Sequence, residues 1–172
     1  MLAVALALAT VAAAPALAGS QGRAQGLQRS AALDSKLVAQ VNAVRARHGL
    51  AALHVSQQLA AAAAQHSTQM AQLGYFSHDS AHGVSFSSRL RSFYPAAGHR
   101  SWSVGENLLW ASPSTDAPGA VALWLGSPGH RANLLSPRWR EIGIAAVHAS
   151  SAPGVYGGHE VTIVTADFGV RR

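Results

Sequence analysis

The chain has 172 residues, a formal net charge of +6 and no cysteine. That length fits one domain whose core needs no covalent staples, and the missing cysteine excludes disulfides, thiolate metal sites and cysteine nucleophiles. Twelve of the thirteen basic residues are arginine, scattered singly or in pairs, so no basic stripe interleaved with aromatics marks a nucleic-acid surface, and a nucleic-acid partner is not expected.

The first element is an apolar run, Leu2 to Ala18, free of charge and ending in Ala16-Leu17-Ala18. Residues 1–18 read as a secretory signal with a small-x-small cleavage site, though without a basic n-region. A retained membrane anchor is the alternative; the run is marginal in length, and Pro15 sits near its end. Residues 19–32 are polar and aperiodic and read as a linker to a domain over residues 33–170.

Apolar residues at helical spacing, Leu37, Val41 and Val44, predict a helix from Asp34 to His48, with Gly49 as its C′ residue. A second helix is expected from Ser56 to Gly74. Its stripe is Leu59, Ala63, Met70 and Leu73, which His66 completes as a buried, hydrogen-bonded core histidine. An irregular segment, Gly74 to Gly83, leads to a short helix over Ser85–Tyr94 that Pro95 ends. An extended stretch begins at Val104, and a fourth helix spans Pro118–Leu125. Two β-like runs, Glu141–Ala149 and Val161–Gly169, flank hairpin punctuation. Helices followed by a Val/Ile-rich hairpin, without βαβ alternation, predict an α+β fold on an antiparallel sheet.

Three places carry possible chemistry. In "SHDSAH", His78 and His82 are four apart, but Asp79, Ser80 and Gly83 favour a turn over a metal-binding helix face. In "GEN", Gly105 to Asn107, a buried Glu106 would be a candidate acid or base; a salt bridge to an arginine is the plainer reading. In "WLGSPGHRANLL", Trp124 to Leu135, Ser127 and His130 invite a nucleophile–base pair, yet no nucleophile elbow surrounds Ser127. Ser127 reads better as an N-cap, Pro128 as the first helical residue and Gly126 as a left-handed cap of the preceding helix. His130 then lies in a first turn, where imidazole stays neutral and able to ligate metal or act as a base. Arg131 and Asn133 are expected to pin the loop. "DFG" near the C-terminus lacks every other kinase motif and reads as part of a strand.

Taken in order, "FSH" (Phe76–His78), "GEN", "WLGSPGHRANLL", "IGIA" and the closing "DFG" resemble the CAP superfamily, also called the SCP domain, of cysteine-rich secretory, antigen 5 and pathogenesis-related proteins. The match is to its bacterial secreted branch and covers about Leu33 to Gly169; Asn42 and Arg45 fit the family's opening N-x-x-R. The resemblance implies a three-layer α-β-α sandwich with a central antiparallel sheet, in which His78, Glu106 and His130 converge in a cleft. Where eukaryotic members carry a second glutamate, this chain has Ser127, so the two-His, two-Glu tetrad is incomplete.

These readings converge on a secreted, extracellular or periplasmic, monomeric binding domain rather than an enzyme. His78 and His130 would hold a divalent metal, zinc by donor chemistry, with Glu106 as third ligand or orienting partner. A small-molecule, lipid or envelope-derived ligand is the expected partner. One alternative is a hydrolase of extracellular peptide or envelope polymer, in which Glu106 or His130 activates water. Another is an adhesion module with a vestigial cleft, presenting an aromatic patch of Trp102, Trp110 and Tyr156. Trp124 and Trp139 are expected in the core.

Overall fold

A computed structural model describes residues 22–172, and the expected signal segment, residues 1–18, lies outside the described residues. The elements in chain order are β1 (Gln28–Arg29), α1 (Ala31–Arg47), β2 (His54–Val55), α2 (Gln57–Leu73), α3 (Phe86–Phe93), β3 (Trp102–Ala111), α4 (Ala117–Gly126), α5 (Pro128–Leu134), β4 (Glu141–Ala149) and β5 (Val161–Arg171). Strands run β1-β4-β5-β3 with every neighbour antiparallel, while the two-residue β2 lies parallel against the start of β4. Helices α1 and α4 cover one face and α2 with α3 the other, giving the expected α+β sandwich.

The pleat divides the core between those faces. Ile142, Ile144 and Phe168 join Leu37 and Val41 of α1 and Trp124 of α4. Val147, Ala149 and Ile163 face Met70 and Ala71 of α2, and Leu59 packs with Leu90 and Tyr94. Each fully buried Val, Leu, Ile, Phe or Met among them contributes about 1.5–3 kcal/mol of transfer free energy. β5 is buried along both faces from Val161 to Val170. Its polar members are matched accordingly: the Ser67 hydroxyl donates to Thr165 Oγ1 (2.8 Å) beneath α2. Gly143 makes this layer possible, because a Cβ there would stand 2.0 Å from the backbone nitrogen of Ala60. Helix α2 therefore rests directly on β4.

The helix ends follow local chemistry. Ser56 and Ser85 cap α2 and α3 through their hydroxyls, and Gly74 ends α2 in the left-handed conformation. Gly49, with φ of 68°, follows α1 as expected. The Asn42/Arg45 motif of α1 is structural. Asn42 exchanges two hydrogen bonds with the backbone of Leu53, and buried Arg45 donates to the carbonyls of Leu134 (2.8 Å) and Ser136 (3.0 Å). It thereby satisfies carbonyls left open at the end of α5.

Three expectations need correction. The polar stretch read as a linker joins the sheet from Gln25 onward: Gln25 bridges Ser151, and Gln28–Arg29 pair with β4. α1 begins three residues earlier than expected, because Ser30 accepts from Leu33 N–H (3.3 Å) and sets the first turn. That frees the Asp34 carboxylate to accept the Ala146 N–H (2.7 Å). Gly126 is not left-handed; α4 runs through it, and the chain turns at Ser127, whose extended backbone (φ −101°, ψ 121°) ends α4 and starts α5. Ser127 holds the N-cap position as expected, but its side chain makes no capping hydrogen bond.

Candidate functional site

Strand β3 forms one edge of the sheet, and the pleat sends consecutive residues of "GEN" to opposite faces. Each residue has a separate task. Gly105 leaves room for the Trp139 ring, which a Cβ would approach to 2.8 Å. Asn107 Nδ2 donates to the carbonyl of His130 (3.0 Å), and its Oδ1 accepts from Asn133 (3.0 Å). Asn133 also donates to the Glu106 carbonyl (3.1 Å), so α5 is bolted to the strand through two asparagines. Asn133 pins the loop as expected; Arg131 is exposed.

Glu106 points toward the α2–α3 layer. Its Oε1 accepts from His78 Nδ1 at 2.8 Å, and its Oε2 accepts from Arg89 Nη2 of α3. His78 sits in a bend before α3, not on a helix, as its flanking residues predict. The pair is asymmetric: the His78 side chain is 51% exposed and that of Glu106 is 1% exposed. Because Nδ1 is committed to the carboxylate, Nε2 is the ring nitrogen left free. The salt-bridge reading of Glu106 thus holds, and the histidine joins it.

Directly across the β3–β5 ladder from Glu106 stands Asp167, fully buried. Its Oδ2 lies 3.9 Å from Arg89 Nη1, within ion-pair range but beyond a hydrogen bond, and both Asp167 oxygens lack hydrogen-bond partners. Two carboxyls therefore share one guanidinium. Burial opposes ionisation of Glu106, but the His78 hydrogen bond and the Arg89 charge outweigh it and hold this carboxyl below its usual range. Asp167 goes the other way: burial, then the neighbouring Glu106 charge, push it well above. Of the two, Glu106 is the readier anion and Asp167 the carboxyl that holds its proton to higher pH.

His78 is raised above the ordinary imidazole range, chiefly by its hydrogen bond to Glu106. His130, half-buried on α5, is lowered by burial and then by the charge of nearby His78. The two imidazoles thus sense one another. Among the described residues, no three His, Asp or Glu side chains are grouped to hold a metal ion. His66 is the core histidine expected: fully buried, with Nε2 donating to the Ser77 carbonyl (2.9 Å). Burial, then Arg89, lower it to about 4.

The proposed aromatic patch does not form as expected. Tyr156 is buried and donates to the Tyr75 carbonyl (2.9 Å), while Trp110, more than a third exposed, packs edge-on against it. Trp124 and Trp139 are core residues. A surface depression of about 650 Å3 between α1 and α4 is lined by Leu33, Gln40 and Pro118 and lies on the face away from Glu106. A smaller one, about 360 Å3, lies between α2 and α3 against Arg89.

Arg89 and Asp167 were missed from sequence. Asp167 is the one acidic residue in an otherwise apolar and threonine-rich strand, and that isolation was its signal. Arg89 was hidden beside the apolar face of a short helix.

Comparison with known proteins agrees with this fold. The model of the CAP family, described as the cysteine-rich secretory protein family, matches residues 38–168. An uncharacterized membrane protein of Bacillus subtilis, YlbC, is 38% identical over 104 residues, 60% of this chain and 28% of its own. YkwD, an uncharacterized protein of the same organism, is 31% identical over 120 residues, 70% of this chain and 44% of its own. The matches thus cover less than half of either relative. An extracellular SCP-domain protein of Bacillus anthracis superposes with a TM-score of 0.62 at 30% identity, over 82% of this chain and 41% of its own. An outer surface protein of Borrelia burgdorferi superposes at 0.67 with 16% identity, over 84% of this chain and 98% of its own, a likeness of fold.

Proposed function

The chain belongs to the CAP, or cysteine-rich secretory protein, family, and on that premise we propose that it is an exported, non-enzymatic binding domain whose His78 and His130 take a divalent cation. The observation that carries this reading is the hydrogen bond from His78 Nδ1 to Glu106 Oε1 (2.8 Å). A carboxylate holding one imidazole nitrogen fixes the tautomer and turns the other nitrogen toward a metal. His130 favours its neutral, ligating form through burial. Both Glu106 oxygens are engaged, which supports an orienting role for Glu106 rather than ligation. Two imidazoles with open positions suit zinc, with water completing the shell. The same engagement argues against Glu106 as a water-activating base, since its lone pairs face His78 and Arg89.

Export is supported by the apolar N-terminal run and by the extracellular description of the Bacillus anthracis protein. Among the described residues no helix is long and apolar enough to cross a membrane.

Calorimetric titration of the metal-free protein with zinc tests the proposal. Micromolar or tighter binding at pH 7 is expected, weakening as pH falls through the histidine range and lost in His78→Ala and in His130→Ala. No binding at neutral pH, or binding unchanged in both variants, would sink it.

A further inference from the structure

The arginines are scattered along the sequence, but the fold gathers half of the twelve at one end of the sheet, where β3 begins and β5 stops. Arg171 stands opposite Trp102 in the β3–β5 ladder, and Arg172 exchanges two backbone hydrogen bonds with Ser101, which brings Arg100 beside it. At the entry to β4, the Arg140 N–H donates to the Gly169 carbonyl, two residues before Arg171, and Arg138 lies in the same turn. From α3, Arg91 reaches this end by lying over the Trp102 ring at 4.6 Å. Arg171 is partly buried and the other five are exposed. Little opposes this charge. Of the seven acidic side chains only Glu141 is here, and it is held by the Tyr94 hydroxyl and Arg171. Asp34, Asp116 and Glu160 lie toward the opposite end, beside Ala146, Ser30 and His148. Glu106 and Asp167 are buried, and Asp79 accepts from the first N–H of α3.

We infer that this end of the molecule docks on an anionic phospholipid surface, its arginines meeting headgroup phosphates. Charge complementarity carries the inference, and the layout of the charges selects the partner. The six guanidiniums come from four chain segments and spread over the ends of three strands and the tip of α3. A planar lattice of phosphates meets such a face all at once, whereas a single polyanionic chain meets only the charges along one track. Arginine suits the contact, because its planar fork pairs with two phosphate oxygens. Arg91 and Arg138 are also stacked, on Trp102 at 4.6 Å and on Trp139 at 5.7 Å, so they lose less freedom on docking. Each arginine brought near an anionic bilayer strengthens adsorption by roughly fivefold.

The test is cosedimentation with lipid vesicles in EDTA, so that its outcome is independent of any metal at His78. It uses the chain from Gly19 onward, which contains every element of the fold and lacks the apolar run that would insert by itself. Binding is expected to phosphatidylcholine vesicles carrying about 30% phosphatidylglycerol and not to phosphatidylcholine alone, weakening at least about tenfold between roughly 50 and 300 mM salt. Arg100→Gln/Arg172→Gln, both exposed, should bind at least about tenfold more weakly. Arg23→Gln/Lys36→Gln removes the same charge toward the opposite end and should stay within about twofold of wild type. Equal binding to both vesicle types, equal losses in the two double variants, or capture by soluble polyaspartate or single-stranded DNA without capture by the anionic vesicles would each overturn the inference.

Discussion

Glu106 and Asp167 stand opposite one another on adjacent strands, two buried carboxyls with the Arg89 guanidinium as their shared counter-charge. Removing the cation would leave an anion buried without its charge partner, whereas removing the second acid would not. Arg89→Met should therefore cost about 3–5 kcal/mol at pH 7, and Asp167→Asn less than about 1.5 kcal/mol, since amide and protonated acid are close in shape and both neutral. The sign with pH separates them further. Asp167 is raised in the folded state, so its contribution is full below the unfolded pKa and is lost as pH rises through the folded one. The stability difference between wild type and Asp167→Asn, read by urea unfolding from pH 5 to 9, should shift in favour of the variant as pH rises, since His66 and His78 titrate in both proteins and cancel. A difference that stays constant across this range, or grows in favour of the wild type, would refute the assignment of a raised proton affinity to Asp167.

The His78–Glu106 pair makes a prediction that needs no stability measurement. Glu106 raises the affinity of His78 for a proton, mainly through the hydrogen bond. Glu106→Gln should therefore bring His78 down toward or below the ordinary imidazole value, read from ring resonances in an NMR pH titration of the metal-free protein. His130 is lowered in part by the charge of His78, so in the same spectra it should move up as His78 loses its proton more readily. Stability linked to His78 is present below its unfolded pKa and lost as pH rises through the folded value. Its half-exposed side chain keeps that term small.

Much of this site was legible in the chain because its parts are local signals. Gly105, Glu106 and Asn107 form a compact tripeptide, and Ser127-Pro128 marks a helix start that dissolves the apparent Ser127–His130 dyad. His66 was readable as a core residue from its place in the α2 stripe. Asp167 and Arg89 were not, because their roles exist only through pairing: Asp167 acquires meaning from the β3–β5 register, and Arg89 from the packing of α3 beside β3. Tyr156 looked like a loop aromatic for the same reason, since only the tertiary fold carries Tyr75 and Trp110 to it. The linker reading of residues 19–32 failed at Gln25, where an edge of β4 recruits polar backbone that has no apolar pattern to announce it.

Gly143 belongs to the "IGIA" stretch, and its contact with α2 gives a sharp steric prediction. A methyl there would stand 2.0 Å from Ala60 N and 2.2 Å from Leu59 C, both backbone atoms. No side-chain rotation can relieve that clash; the helix must lift off the sheet. Gly143→Ala should cost about 3 kcal/mol or more, at the upper end of overpacking effects, or prevent folding. Gly129, whose Cβ would meet nothing within 4 Å, is the control, and Gly129→Ala should stay within about 0.5 kcal/mol. Equal thermal stability of the two variants would contradict the close packing of α2 on β4.

His66 supplies the acid limb of the stability profile. Its Nε2 donates to the Ser77 carbonyl and its Nδ1 faces the Tyr75 hydroxyl at 3.4 Å, so the neutral ring satisfies both neighbours. Burial and then Arg89 lower it from 6.5 to about 4. A depressed base contributes stability that is full above the unfolded pKa and lost as pH falls toward the folded one. Between pH 7 and 4 the loss should be about 3 kcal/mol. His66→Gln retains a donor for Ser77 without a titrating group. It should be less stable than wild type at pH 7 yet lose less between pH 7 and 4. Chemical denaturation at the two pH values measures the difference, and parallel losses in both proteins would remove His66 as the source of the acid sensitivity.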